Sequence, residues 1–349
     1  MKTGESRVLN RKLPYTILMS SAFWCIFEII NVRIANWFYI NLPQEIEIRY
    51  LGYFFAYGTV IPGIMLLRDL FNLVFRIEIR REVLIIRNYP IYAISLGTTT
   101  FFLTLFFPEY FFPFTWIFLF LVMDGINYKK GYGSIFSEVE KGEYGNLVST
   151  MISGFVCGIL WEFWNYWAIA KWVYTVPFFD RLKVFEMPLL GYLGFSLFAL
   201  EVLSFVNFIE GLGKERRKIL ILLAFIVFIV AFPLIDRYTV FSYRTKIDEL
   251  YFLGKGKLEH LKSKRVMSSY GIDESFLTIE ERQKMELLHL YGMGIENLKK
   301  LENHGINSID ELAMLDERNF SLITGEKNLR RVKIYLNTAR RVKNSSRDF

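Results

Sequence analysis

The sequence predicts an all-α protein: a polytopic membrane bundle of about seven spans, followed by a small soluble helical domain. Three observations carry this. Long apolar runs are confined to residues 15–240. Lys and Arg collect in alternate short loops between those runs. From residue 241 onward the apolar runs stop and charged residues mix in. The chain as a whole is 53% hydrophobic and 17% aromatic, with a mean hydropathy of +0.27, more apolar than an ordinary soluble domain. Residues 1–14 read as an N-terminal tail, 15–240 as the membrane domain and 241–349 as the soluble domain.

Crossing the hydrocarbon core takes roughly 20 apolar residues. Spans are expected near 15–36, 50–67, 91–108, 110–128, 147–169, 189–209 and 219–240. The first contains Glu28 and Arg33 and lacks a small-residue cleavage site, so it reads as a retained span and not a signal peptide. The third and fourth form a tight hairpin at Phe107-Pro108-Glu109-Tyr110. The fifth carries Gly154-x-x-x-Gly158, and the sixth Gly191, Gly194 and Ala199. Small residues at these spacings let helices approach closely in lipid.

Orientation follows from the loops. One set holds Lys2, Arg7, Arg11 and Lys12, then Arg68, Arg76, Arg80, Arg81 and Arg87, then Lys129, Lys130 and Lys141, then Lys214, Arg216, Arg217 and Lys218. The opposite set holds only Arg49, Lys171, Arg181 and Lys183. This asymmetry puts the N-terminus in the cytoplasm. Seven spans then place residues 241–349 outside, and six would place them inside.

The net charge of +7 is explained by those loops, and the tail is only mildly basic, so nucleic acid is not an expected partner. Cys25 and Cys157 both lie in apolar spans and cannot build a disulfide framework. All three histidines lie in the tail, which excludes a His-ligated metal site in the membrane domain. There is no phosphate-binding glycine loop, Ser-His-Asp set, HExxH or Asp-rich pair. Nothing in the sequence names a cofactor.

A duplication inside the membrane domain is the most informative feature. The first span reads Trp24-x-x-x-Glu28-x-x-Asn31, then Trp37-x-Tyr39 and Pro43. The fifth reads Trp161-Glu162-x-x-Asn165, then Trp172-x-Tyr174 and Pro177. Leu51-Gly52-Tyr53 and Leu190-Gly191-Tyr192 open the spans that follow. The order predicts two parallel repeats, about 15–75 and 147–210. Glu and Asn three apart share a helical face. An ionisable group at membrane depth costs about 2.5–3.5 kcal/mol on insertion scales, so such groups face the bundle interior and serve either chemistry or helix–helix contact.

Glu28, Glu162, Asn31, Asn165, Arg33 and Glu201 are therefore the candidate catalytic residues. Arg33 is placed to hold one carboxylate ionised. Trp37, Tyr39, Trp172, Tyr174, Asp124, Asn127 and Glu186 are candidate substrate contacts. The four Trp-x-Tyr aromatics also fit an interface belt, and Asp124 also fits a helix-end carboxylate beside basic residues.

In the tail, residues 285–306, with Gly292-x-Gly294 and Gly305-Ile306, resemble a helix-hairpin-helix unit. A weaker echo lies at Gly254-x-Gly256 and Gly271-Ile272, and a further turn is expected at Thr324-Gly325-Glu326. The resemblance implies a module that binds nucleic-acid backbones or a protein partner.

The stretch from Phe107 to Glu201 resembles an uncharacterised family of bacterial and archaeal polytopic proteins. The shared elements are Phe-Pro-x-Tyr-Phe-Phe-Pro, Asp124-x-x-Asn127, Trp161-Glu162-x-x-Asn165, Trp172-x-Tyr174 and Phe185-Glu186-Met187-Pro188-x-x-Gly191. This implies a prokaryotic plasma membrane and no particular reaction. The repeated spans with Trp-x-Tyr and a following proline are more distantly similar to membrane lycopene cyclases, tandem-repeat proteins that use acid–base chemistry on a carotenoid. Their signature has two adjacent glutamates after the proline, whereas here Glu186 precedes Pro188. The resemblance thus implies a lipid-facing carboxylate site and not cyclase activity.

Three functions fit the sequence: an enzyme modifying a lipid or isoprenoid through Glu28 and Glu162, a scaffold recruiting a protein through its tail, or a small-solute transporter.

Overall fold

The computed structural model describes residues 12–345 except 76, 169, 179–181, 242, 245–278, 289, 291, 292 and 294. Among the described residues the chain is mostly helical, and six helices are long and apolar enough to cross a membrane, or seven if one bent pair is a single span. Such a set is compatible with an integral membrane protein. The chain divides into two compact units.

The first unit holds Met1–Trp37, Arg49–Ala168 and Val176–Thr239. It begins with α1 (Leu13–Ile34), which ends in a left-handed residue at Ala35, φ 51°. Next come α2 (Ile46–Gly58) and α3 (Val60–Phe75), which together pass as one span. Ser20 of α1 ties the break between them, donating to the Tyr57 carbonyl at 2.7 Å and accepting from Ile61 N–H at 2.9 Å. Helix α4 (Tyr89–Phe106) turns at Phe107 into α5 (Pro108–Phe111) and a 3-10 turn (Phe112–Trp116), followed by α6 (Phe118–Lys130). The fourth span is therefore broken, with a bend of 45° before α6. After α7 (Ile135–Val139) come α8 (Gly145–Trp167), the β4–β5 hairpin (Lys183–Val184 and Met187–Pro188), α9 (Gly191–Gly211) and α10 (Lys214–Tyr238).

In this unit α1 packs on α10 and α3, α4 on α6, and α8 on α9 and α3. The close approach of α8 to α9 has a cause in sequence. A β-carbon at Gly154 would collide with the Phe195 carbonyl and Ala199, and one at Gly158 with the Phe195 ring. Dispersion and backbone proximity replace the hydrophobic drive that lipid removes. A partly buried ion pair joins α2 to α10: Arg49 Nε lies 3.2 Å from Asp236 Oδ1, Nη2 reaches Oδ2, and the Tyr53 hydroxyl donates to Oδ1 at 2.7 Å.

The second unit holds Phe38–Ile48, Ile169–Thr175 and Val240–Phe349. Strand β1 (Trp37–Ile40) pairs with β3 (Lys171–Tyr174), and β2 (Leu42–Pro43) pairs in parallel with β6 (Tyr243–Arg244). Phe241 N–H donates to the Tyr39 carbonyl at 2.7 Å. Among the described residues five helices follow: α11 (Ile279–Leu288), α12 (Ile295–Glu302), α13 (Ile309–Met314), α14 (Glu317–Thr324) and α15 (Leu329–Ser345).

Their core is Leu298, Leu301, Leu312, Phe320, Val332 and Tyr335, with Phe241 packed against it. Burial raises the Tyr335 phenol above its ordinary range, and its oxygen accepts from Asn297 Nδ2 at 2.8 Å. Ser308 and Glu311 form a capping box at the start of α13. Gly325, φ 77°, caps α14 in the left-handed conformation that glycine tolerates best. The turn expected at Thr324-Gly325-Glu326 is therefore present. Gly292 and Gly294, and the echo at Gly254, Gly256, Gly271 and Ile272, lie outside the described residues.

Candidate functional site

The duplicated Glu-x-x-Asn segments close α1 and α8. In α1, Asn31 accepts from the backbone N–H groups of Asn36 and Trp37 at 2.9 and 3.3 Å and donates to the Trp37 carbonyl at 2.8 Å. The Asn31 carbonyl also accepts from Ala35 N–H at 2.8 Å. A left-handed alanine costs about 1–3 kcal/mol, and these bonds hold it. The turn they fix swings Trp37 back over the helix. There its indole N–H donates to Glu28 Oε1 at 3.1 Å, beside that of Trp24 at 2.8 Å. Glu28 is fully buried.

Aromatic rings wall this carboxylate. Trp116 stacks on Phe27 at 5.9 Å, on Trp37 at 5.8 Å and on Trp24 at 6.5 Å. Phe198 meets Trp24 and Trp116 edge-on at 5.5 and 5.8 Å. Trp24 and Trp116 are half-buried, and Phe27, Trp37 and Phe198 are buried.

Glu162 is equally buried in α8, with Asn165 almost so. Phe163 and Tyr166, on neighbouring turns, pack on Phe185 at 5.8 and 5.7 Å. Phe185 sits at the tip of the β4–β5 hairpin with φ 58°, a conformation unusual for a bulky residue, and tucks Glu186 inward to 3% exposure. Beyond α8, the Trp172 indole donates to the Tyr174 hydroxyl at 2.9 Å.

The remaining intramembrane polar residues tie helices together. Glu201 Oε1 accepts from Leu119 N–H at 3.0 Å, capping α6 where the fourth span breaks. Asp124 accepts from the Tyr89 and Ser134 hydroxyls at 2.8 and 2.9 Å and from the Ile135 and Phe136 amides at 2.8 and 3.2 Å. Its carboxylate serves the N-terminus of α7 and not the neighbouring lysines. Asn127 donates to the Ser204 carbonyl at 2.8 Å.

Two expectations are corrected. Arg33 is exposed at the end of α1, five residues past Glu28 and so on another face; two indoles, not a guanidinium, meet Glu28 Oε1. Trp37 and Tyr39 are buried and so do not present their rings outward as an interface belt would, whereas Trp172 and Tyr174 are half-buried.

Sequence reasoning missed Trp116 and Phe198, which lie in other spans and at none of the duplicated motif positions. It also missed a polar cavity of about 570 Å³ lined by Arg68, Asp69, Asn72, Glu138, Asn146 and Asn207, among others. Arg68 Nη2 donates to Asn146 Oδ1 at 3.2 Å, and Asn146 Nδ2 donates to both Glu138 oxygens at 3.0 and 2.9 Å. Burial raises the Glu138 carboxyl above its ordinary range, opposed by Asn146 and the Arg68 charge. The available signal was Arg68 followed by Asn72 one turn later, polar groups at the end of an apolar helix.

Among the described residues no group of His, Cys, Asp and Glu could hold a metal ion. No protein-family model, curated protein or solved structure matches the chain.

Proposed function

We propose that this chain is an integral membrane enzyme acting on an isoprenoid or similarly apolar lipid, with Glu28 and Glu162 dividing the base and acid roles. The carrying observation is Glu28 itself: a fully buried carboxylate with two indole donors on one oxygen, walled by five aromatic side chains. Such a box suits a substrate that becomes cationic. One carboxyl protonates a carbon–carbon double bond, ring faces stabilise the carbocation, and a carboxylate removes a proton from the adjacent carbon. The net change moves the double bond or closes a ring, with no other reactant consumed. On this reading Glu28, whose Oε1 accepts both indole N–H groups, takes the base role and Glu162 the acid role.

The chain is built, on this reading, from two parallel repeats. Support comes from the pairing of β1 with β3, the strands that follow the two Glu-x-x-Asn helices. The N-terminus lies in the cytoplasm of a prokaryotic plasma membrane. The C-terminal helices then lie outside, as a helix-hairpin-helix-like module for a protein partner. Pairing of β2 with β6 supports one side for the tail and for the α1–α2 connection.

Liquid chromatography, which separates isomers of equal mass, coupled to mass spectrometry of lipid extracts from deletion and wild-type cells tests the enzyme reading. A lipid that accumulates with a mass-matched isomer lost is the expected result. Identical extracts would overturn it in favour of a scaffold or transporter.

A further inference from the structure

Glu201 Oε2, Ser204 Oγ and Asn127 Oδ1 are among the buried polar atoms of the first unit that have no hydrogen-bond partner among the described residues. They are contiguous. Ser204 is one turn from Glu201 on α9, and Asn127 is bonded to the Ser204 carbonyl. Their far end adjoins the polar cavity, because Leu203 and Asn207 of the same helix line it. Their near end is Glu201, ten residues from either end of α9, about 15 Å from each at helical rise.

We propose that these groups line a water-filled proton path from the cavity to Glu201. Buried polar atoms without protein partners are ordinarily met by ordered water. Glu201 and Asn207 are about 9 Å apart along the helix, a span that a file of about three waters at hydrogen-bond spacing covers. The cavity lies at the end of α3 and α9 that joins the Arg- and Lys-rich loops. Its charged groups, Arg68, Asp69, Glu78 and Glu138, make the mouth hydrophilic. Inward, Glu201 is one turn from Phe198 of the aromatic box. The path therefore gives a carboxyl in the middle of the bundle access to protons from the basic-loop side. It does not depend on what the protein acts on.

The test uses the full-length protein in nanodiscs. Infrared spectra after transfer to D2O should contain a carboxyl contribution that Glu201→Gln removes and that shifts promptly with exchange. Asn207→Leu should slow that shift by about tenfold, because it displaces a bridging water. X-ray radiolytic footprinting of the unsubstituted protein gives a second readout that needs no variant. Leu200, buried and outside the cavity lining, should be modified by hydroxyl radicals formed from bound water. No modification at Leu200, or a Glu201 signal that exchanges as slowly as the helical core, overturns the path. So does an exchange rate unchanged by Asn207→Leu.

Discussion

Glu201 Oε1 accepts the backbone N–H of Leu119 at 3.0 Å, so the carboxylate deepest in α9 closes the break in the neighbouring span. A helix that starts inside an apolar bundle has amide groups that nothing in its own first turn can satisfy. Lipid supplies no acceptor, so another helix must.

Glu201→Ala should therefore destabilise the protein by about 1–3 kcal/mol, the cost of stranding a buried donor. Glu201→Gln keeps a carbonyl acceptor and should stay near wild type. Thermal unfolding in detergent distinguishes the two. An alanine variant as stable as the native protein would mean that the contact is incidental.

Arg49 and Asp236 form a partly buried pair shared with Tyr53. Removing one partner leaves an uncompensated charge, at a cost below the roughly 3–5 kcal/mol of a fully buried pair. Arg49→Ala alone should unfold at much lower temperature. Arg49→Met with Asp236→Leu should recover most of the loss. If the double variant is no better than the single one, the pair does not act as a unit.

Glu138 carries a pH prediction. Its ordinary value is 4.5 and burial raises it in the fold. A carboxyl with a raised folded value contributes stability that is fully present below the ordinary value and is lost as pH rises through the raised one. Relative to Glu138→Gln, the native protein should lose stability as pH climbs from about 4 towards neutrality. Melting curves that stay parallel across that range would show that the half-buried carboxyl has no such linkage.

Topology is open to cysteine labelling after Cys25 and Cys157 are replaced. A cysteine at Leu329, which is exposed in the tail, should react with an impermeant reagent in intact cells. One at Arg80 should not. The opposite pattern would invert the orientation, and labelling at both would break the assignment of the loops.

The spans were legible because bilayer thickness imposes a length and a composition that survive in sequence. The α8–α9 contact was legible for a similar reason: Gly154 and Gly158 leave a backbone groove with one use in lipid. Glu28, Glu162 and Glu201 were recognisable as inward-facing because a buried charge is costly wherever it sits. Their partners were not legible. The two indoles on Glu28 come from one helix and from the strand after it, and the second depends on the left-handed turn at Ala35. Leu119 meets Glu201 through its backbone, which leaves no mark on residue identity. Arg33 misled because charge complementarity was read along the chain, whereas helical rotation puts it on another face.

The central claim rests on the Glu28 carboxylate, and one complementation experiment addresses it. Glu28→Gln keeps size, burial and an oxygen acceptor for the Trp24 and Trp37 indoles, so the variant should insert and melt like the native protein. Expressed in the deletion strain, it should fail to restore the wild-type lipid profile, while the native gene restores it. A Glu28→Gln protein that is present at normal levels and returns the full wild-type profile would contradict the account.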